Sequence, residues 1–399
     1  MGHYEIMDGN DAAAHGVMLS RPEVVAIFPI TPNTTLINGI AELTATGKMT
    51  AKNITVENEH SAISVVAGAA AAGSRTFTAS ASQGVVHMEE VLWMIPGNRL
   101  PIVMAICNRS ISAPGSLLCT HSDSLLQRDN GWLQLYCEDA QEVIDTVIQS
   151  YKIAEDKRVL LPTFFMLDGY VLSACAMPVD VPDQDKVDEF LPPYHHEHFY
   201  LDPEKSPRPS PDTTTYRGLE TELRYQIEEA MSNAKEVIRE VNDDYSKKFG
   251  RSYGNGLVEE YRCEDARGVL ITMGSLTGTA RVVIDQMREE GKPIGLVKLK
   301  SFRPYPTEEI KKIGEKVEAI GFVDRNFSHG AASGGGIGTI ETSRALYHLE
   351  DRPLLIGFIA GIGGRDVTLE NFRYMADRVL EAADTKKVEK EVEWINLMA

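Results

Sequence analysis

The feature that most constrains this chain is a series of short apolar segments. They end abruptly in Gly, Pro or polar turns and alternate with helical stretches of small residues. Residues 24–29 (VVAIFP) are β-branched and apolar, then break into Ile-Thr-Pro. Residues 75–79 read as a strand, and 101–107 (PIVMAIC) and 160–167 (LLPTFFML) are continuous apolar runs of strand length. A strand that is apolar on both faces is covered on both faces, as in the interior of a parallel sheet. Helices are expected between the strands, over the Ala-rich 61–73 and over 83–95. This alternation predicts an α/β fold, a parallel sheet flanked by helices.

The pattern is interrupted and then resumes. Residues 180–215 are rich in Pro, Asp and Glu, including PEKSPRPSP, and read as an extended connector. Residues 216–241 place Leu219, Leu223, Ile227, Met231, Ala234, Ile238 and Val241 on one stripe of a long charged helix, which is expected to pack on its own domain. A second α/β unit starts at Gly268 with the strand GVLITMGS, followed by a helix over 277–289. Strands at 294–299, 320–324 and 354–359, a Pro-rich turn SFRPYP, a helix near 340–347 and an amphipathic segment 371–383 complete it. The 399 residues therefore divide into 1–176, 177–260 and 261–399.

A formal net charge of −18 repels nucleic-acid phosphates and anionic membrane surfaces, so neither is expected as a partner. Residues 1–10 carry no apolar run behind a basic segment, and no apolar stretch reaches membrane-spanning length, so no secretory signal or membrane span is expected. Cys107, Cys119, Cys137, Cys175 and Cys263 are scattered without a CxxC pair. That pattern predicts reduced thiols in the cytoplasm, and no metal or iron–sulfur cluster on this chain.

Three segments follow strand-like runs, where open α/β sheets bind ligands. In TVENEH (55–60), Glu59 stands immediately ahead of the small-residue helix. A carboxylate there either caps free N–H groups or is buried in a tight interface. In FPITPN (28–33) two prolines stiffen the backbone around Thr31, either as a turn with a local Thr cap or as a rigid presentation of that residue. In CNRS (107–110), Arg109 fits either a structural ion pair or a bidentate grip on a carboxylate. The stretch SAPGSLLCTHSDS that follows has the composition of a lid or a plain connector. His60 and His121 are expected to be structural. His195, His196 and His198 lack an i,i+4 partner and read as surface residues. The Gly-rich 330–338 lacks dinucleotide and P-loop spacings, but its N–H groups could hold an anion or the loop could form a subunit contact.

FPITPNTTL, VENEHSA, SASQGVVHMEEVLW, LPIVMAICNRSISAP, HSDSLLQRDNGWLQLYCE, RVLLPTFFMLDGYVLS, LKSFRPYP, FVDRNFSHG and FIAGIGGRDVT occur in this order. Each resembles a block of the pyruvate:ferredoxin oxidoreductase family, from about residue 9 to about 368. The resemblance implies a pyrimidine-binding-type domain of thiamine enzymes followed by a transketolase C-terminal-like domain. It also implies the α-type subunit of a 2-oxoacid:ferredoxin oxidoreductase, in which thiamine diphosphate supports reversible oxidation of pyruvate to acetyl-CoA and CO2 with electrons to ferredoxin. It makes Glu59 the glutamate that contacts N1′ of the aminopyrimidine, with Phe28, Pro29 and Ile30 beside the cofactor. Thr31 and Arg109 become the pair that holds the substrate carboxylate.

The chain has no GDG followed at a distance by Asn and no ferredoxin-like cysteine run. The resemblance therefore places the diphosphate and Mg2+ on a β-type subunit and [4Fe-4S] clusters on partners that include a ferredoxin-like δ-type subunit. A γ-type subunit is expected as well, in a dimer of heteromers that uses coenzyme A as substrate. Thr rather than Arg at position 31 disfavours oxalate. Phe28, Ile111 and Leu117 suit a methyl group or a branched chain, a difference worth only about 1–3 kcal/mol per methylene. Two readings of another class compete. A non-catalytic assembly subunit would be marked by loss of Glu59, Thr31 or Arg109, and all three are present. A nicotinamide-nucleotide dehydrogenase built on the Gly turns 274–278 and 330–338 would lack its fingerprint.

Overall fold

Runs of apolar residues with no polar face end up as strands with no solvent face. The computed structural model describes residues 3–195, 201, 219–332 and 334–398. The first unit runs β1 (His3–Met7), α1 (Gly9–Leu19), β2 (Val24–Ala26), α2 (Thr34–Ala45), β3 (Lys52–Ile54), α3 (Glu59–Ala71) and β4 (Thr76–Ser80). It continues with α4 (Ser82–His87), α5 (Glu89–Gly97), β5 (Val103–Asn108), α6 (Ser122–Leu125), β6 (Leu133–Tyr136), α7 (Ala140–Ala154) and β7 (Thr163–Asp168). Every residue of β5 and β7 is buried, and the two lie side by side in parallel. The connecting segment holds β8 (Met177–Val181), α8 (Gln184–Phe190) and α9 (Leu219–Phe249).

The second unit runs β9 (Val258–Tyr261), β10 (Gly268–Thr272), α10 (Leu276–Glu289), β11 (Ile294–Leu299), β12 (Ser301–Arg303), α11 (Thr307–Gly314) and β13 (Ala319–Asp324). It ends with α12 (Ile337–Leu346), β14 (Leu354–Ile359), α13 (Leu369–Thr385) and β15 (Val392–Trp394). Among the described residues the first sheet has the order β12-β6-β7-β5-β4-β2-β3, parallel except at β12. The second has the order β15-β14-β13-β10-β11-β9, parallel except at β9. One core lies between the first sheet and α1, α2, α7 and α9. A middle core joins Met104, Ile106 and Phe164 of the first sheet to Ile271, Val297 and Phe322 of the second. A third packs α10 and α13 on the outer face of the second sheet.

The architecture is the expected α/β one, with four local corrections. The helix expected over 83–95 is two, α4 and α5, which meet at Met88: its N–H closes α4 on Val85 and its carbonyl opens α5. The connector is not extended throughout. β8 pairs with β1, and α8 buries Val187 and Phe190, the latter edge-on to Tyr245 and Phe249 of α9. PEKSPRPSP lies outside the described residues. SFRPYP is more than a turn, because Ser301–Arg303 adds an antiparallel edge strand to the first sheet, its register shifting between Ser301 and Arg303. Finally, α9 extends to Phe249, and its buried stripe starts only at Ile227; Leu219 is exposed. The helix packs on α7 and α5. Among the described residues no helix is long and apolar enough to cross a membrane.

Candidate functional site

The carboxyl ends of β2, β3, β4 and β5 share one edge of the first sheet, and the segments that leave them form one cluster. Leaving β3, the chain enters α3, whose small side chains let it lie on β2 and β4. Asn58 caps this helix, its side chain accepting the Ser61 N–H at 2.8 Å. Exposed Glu57 accepts the Ser61 hydroxyl. The capping duty is thus filled, and Glu59 is free to turn inward, its side chain only 11% exposed. Gly84 makes room for it: a Cβ there would lie 2.8 Å from Glu59 Oε1. The other carboxylate oxygen is 3.2 Å from His87 Nδ1.

Leaving β5, the chain passes through Arg109. Its N–H donates to Asp123 at 3.0 Å, and its guanidinium donates to the Thr31 carbonyl at 2.7 Å and to Gln83 Oε1 at 3.4 Å. Nε is buried with no partner, and among the described residues the side chain has no ion-pair partner. The structural ion pair that the sequence left open is therefore not what holds it. A half-buried guanidinium held only by neutral acceptors can still pair with an anion. Thr31 is half-buried beside it. The loop carrying Thr31 is fastened from behind by Asn10, whose amide donates to Pro32 O at 2.8 Å and to Thr35 Oγ1 at 2.7 Å. In the same loop Pro29 is exposed, while Phe28 and Ile30 are half-buried and Ile30 packs on the core.

Leaving β4, residues 82–84 tie the two halves together. Ser82 donates its N–H to Asp123 at 2.8 Å and its hydroxyl to the Ser110 carbonyl, Gln83 meets Arg109, and Gly84 faces Glu59. Asp123 is the fixed point of this cluster. It is wholly buried, and it also accepts from Asn108 Nδ2 and Ser124 N. Burial pushes it up to about 6, against the lowering effect of those donors. Asp123 stands in a block marked by resemblance, but nothing local singles it out, because its partners lie far away along the chain. Gly84 did carry a signal, a glycine just after a strand end in a block already marked by resemblance.

The remaining candidates fall outside this cluster. His121 is wholly buried, with Nε2 2.7 Å from Asp168 and Nδ1 without a partner. Asp168 also takes the Arg325 guanidinium at 2.7 Å and Ser275 N at 3.0 Å from the second unit. Cys119, His121 and Asp168 stand close enough to collect a metal. Arg325 already occupies that carboxylate, and a second cation there would be repelled. His60 is 3.9 Å from the exposed Glu90. His195 is exposed, and His196 and His198 lie outside the described residues. At the end of the Gly-rich loop the N–H groups of Gly338 and Thr339 go to buried Asp324 and that of Ile337 goes to Asn326, so these three are already engaged.

Residues 15–243 match the family model described as pyruvate flavodoxin/ferredoxin oxidoreductase, thiamine diP-bdg, and residues 266–372 match that of pyruvate:ferredoxin oxidoreductase core domain II. The chain is 45% identical to the pyruvate synthase subunit PorA of Pyrococcus abyssi over 393 residues, covering 98% of each chain. It is 40% identical to the ketoisovalerate oxidoreductase subunit VorA of Pyrococcus horikoshii, again over 98% of each. In fold it is similar to the 2-oxoglutarate:ferredoxin oxidoreductase from Magnetococcus marinus solved with 2-oxoglutarate, coenzyme A and succinyl-CoA. The TM-score is 0.69 at 18% identity, covering 95% of this chain and 65% of that one. A split-gene transketolase solved as an inactive β4 tetramer matches with TM-score 0.53 at 12% identity, covering 94% and 97%.

Proposed function

The chain belongs to the pyruvate:ferredoxin oxidoreductase family, and from that premise we propose that it is the α-type subunit of a complex that oxidatively decarboxylates pyruvate with thiamine diphosphate. The observation that carries this reading is the pairing, on one sheet edge, of a nearly buried carboxyl with a guanidinium that has no counter-ion. The donor set fits the cofactor's pyrimidine end. Glu59 is out of water, and the missing side chain of Gly84 leaves its oxygen a place to lie. When bound, the cofactor supplies the electron sink that lets the bond to the carboxylate carbon break.

The chain's own residues then have separable tasks. Glu59 would meet a ring nitrogen of the cofactor through its carboxyl oxygen, a hydrogen bond strengthened by the burial of that side chain. Arg109 orients the substrate carboxylate through N–H groups that Thr31 and Gln83 do not saturate, and Thr31 fixes the guanidinium with its carbonyl. Positioning of this kind can supply several kcal/mol of the barrier. Phe28, Pro29 and Ile30 complete the cofactor side of the loop. A β-type subunit supplies the diphosphate and Mg2+ site. γ-type and ferredoxin-like δ-type subunits with [4Fe-4S] clusters pass electrons to ferredoxin, and coenzyme A takes the acyl group. The assembly is a dimer of heteromers in the cytoplasm, which suits five cysteines that are all free thiols.

The test is made on the assembled complex. Glu59→Ala should assemble normally and lose pyruvate-dependent reduction of a one-electron acceptor by at least about a thousandfold. Full pyruvate oxidation by that variant would refute the assignment and revive an assembly role. Rates on pyruvate and 2-oxoisovalerate decide between the two substrate sizes suggested by relatives of nearly equal similarity.

A further inference from the structure

Residues 361–364 form a glycine turn that the proposed chemistry does not use. Gly361, Gly363 and Gly364 have φ of +74°, +65° and +78°, a region that side chains disfavour. The turn belongs to the second unit, but it is seated on the loop that follows Arg109 in the first. Gly363 N–H donates to Thr120 Oγ1 at 2.9 Å and Gly364 N–H to the Cys119 carbonyl at 3.2 Å. The approach is so close that a Cβ on Gly364 would fall 2.3 Å from Leu118 Cβ. From there the link runs back toward the guanidinium. The Thr120 hydroxyl is 2.9 Å from the Ser110 hydroxyl, and Ser110 N–H reaches the Leu118 carbonyl at 3.4 Å. Ser110 directly follows Arg109. Thr120 and Cys119 are buried, whereas Leu117 and Leu118 just ahead of them are exposed. The loop is therefore pinned at its base.

We propose that this glycine turn is a positioning element for substrate binding, which holds the 110–120 loop so that Arg109 meets the 2-oxoacid carboxylate in one orientation. Thr120, Gly363 and Gly364 are positioning residues, and none touches the reacting atoms. The inference rests on the reading of Arg109 given above. It deepens that reading by assigning the second unit a part in 2-oxoacid affinity.

The test compares Thr120→Val with Thr120→Ser in the assembled complex, with pyruvate as the probe. Valine keeps the volume and removes the hydroxyl that both Gly363 and Ser110 engage; serine keeps the hydroxyl. Thr120→Val should raise KM for pyruvate about tenfold and leave kcat within about twofold, while Thr120→Ser stays within about twofold on both. An unchanged KM in Thr120→Val, or an equal rise in Thr120→Ser, overturns the proposal. Should Thr120→Val fail to assemble, Ser110→Ala removes only the second link. It should raise KM about threefold with kcat unchanged, and no rise would count against the clamp. Amide hydrogen exchange separates this failure from failure of the underlying reading. Even in a complex that does not turn over pyruvate, Thr120→Val should speed exchange across 110–118 by about tenfold, and unaltered protection there removes the clamp itself.

Discussion

Arg109 earns its role from what it lacks. Its charge is answered by a carbonyl and an amide oxygen, not by a carboxylate, and its Nε has no partner. Charge-assisted hydrogen bonds are worth about 1.5–3 kcal/mol each. Arg109→Ala should therefore raise KM for the 2-oxoacid by about a hundredfold in steady-state assays, and Arg109→Lys should recover only part of that loss, because an ammonium cannot make the planar two-point contact. An unchanged KM in either variant would show that the carboxylate binds elsewhere. At this scale the sequence was informative where chemistry is local. Thr31 and Arg109 follow strand ends that the apolar runs made visible, Glu59 stands ahead of a helix that its small residues made visible, and the resemblance assigned their roles. The part Asp123 plays was not legible in its quoted block, because what makes it matter is a set of N–H groups from residues 82 and 109 that only folding brings together.

Among the elements, α3 and α4 depend on each other through one missing side chain. A Cβ on Gly84 would lie 2.8 Å from Glu59 Oε1 and 2.4 Å from Ser80 Oγ, closer than real side chains approach. Gly84→Ala should cost about 1–3 kcal/mol in thermal or denaturant unfolding. It should also lower turnover by more than about tenfold, because the displaced carboxyl no longer meets its ring nitrogen in line. Parental turnover with the stability loss would show that Glu59 need not sit where it does. Composition and periodicity found α3 and the middle of α9, since a stripe or a run of small residues survives in any window. It did not find the break at Met88, which is a matter of one i→i−3 bond, or α8, whose buried Val187 and Phe190 are too few to set a period.

For the molecule as a whole, the two units are locked by buried charge. Lys298 and Lys300 of the second unit meet Glu142 of α7 at 2.7 Å each, and Arg325 of the second unit meets Asp168 of the first. Burial alone would raise both carboxyls. The neighbouring cations outweigh it, holding Glu142 at about 2 and Asp168 below the ordinary carboxylate range. Their contribution to stability is complete above the unfolded values of 4.5 and 3.8, and it is lost as pH falls through the folded values. Asp123 and Asp324 have the opposite sign. Burial lifts both to about 6, so the folded chain binds their protons more tightly, and stability rises as pH drops from 7 toward 4. Thermal midpoints measured against pH should therefore rise from pH 7 to a peak near about pH 4 and fall steeply below it. A midpoint that declines steadily from pH 7 downward would contradict the assignment of Asp123 and Asp324. The existence of two α/β units was legible from the order of apolar runs. Their interlock was not, because Lys298 and Lys300 read as ordinary strand residues until Glu142 is beside them.

Ser301–Arg303 lies deep in the second unit's sequence, yet it closes the open side of β6 in the first. Anyone cutting this polypeptide between its halves would strip a border from the sheet that carries Arg109. An N-terminal fragment ending near residue 260 would display a row of bare backbone N–H and carbonyl groups along Leu133–Tyr136, ready to recruit strands from other molecules. Splitting the gene at the visible composition change would yield two sticky pieces in place of two soluble ones.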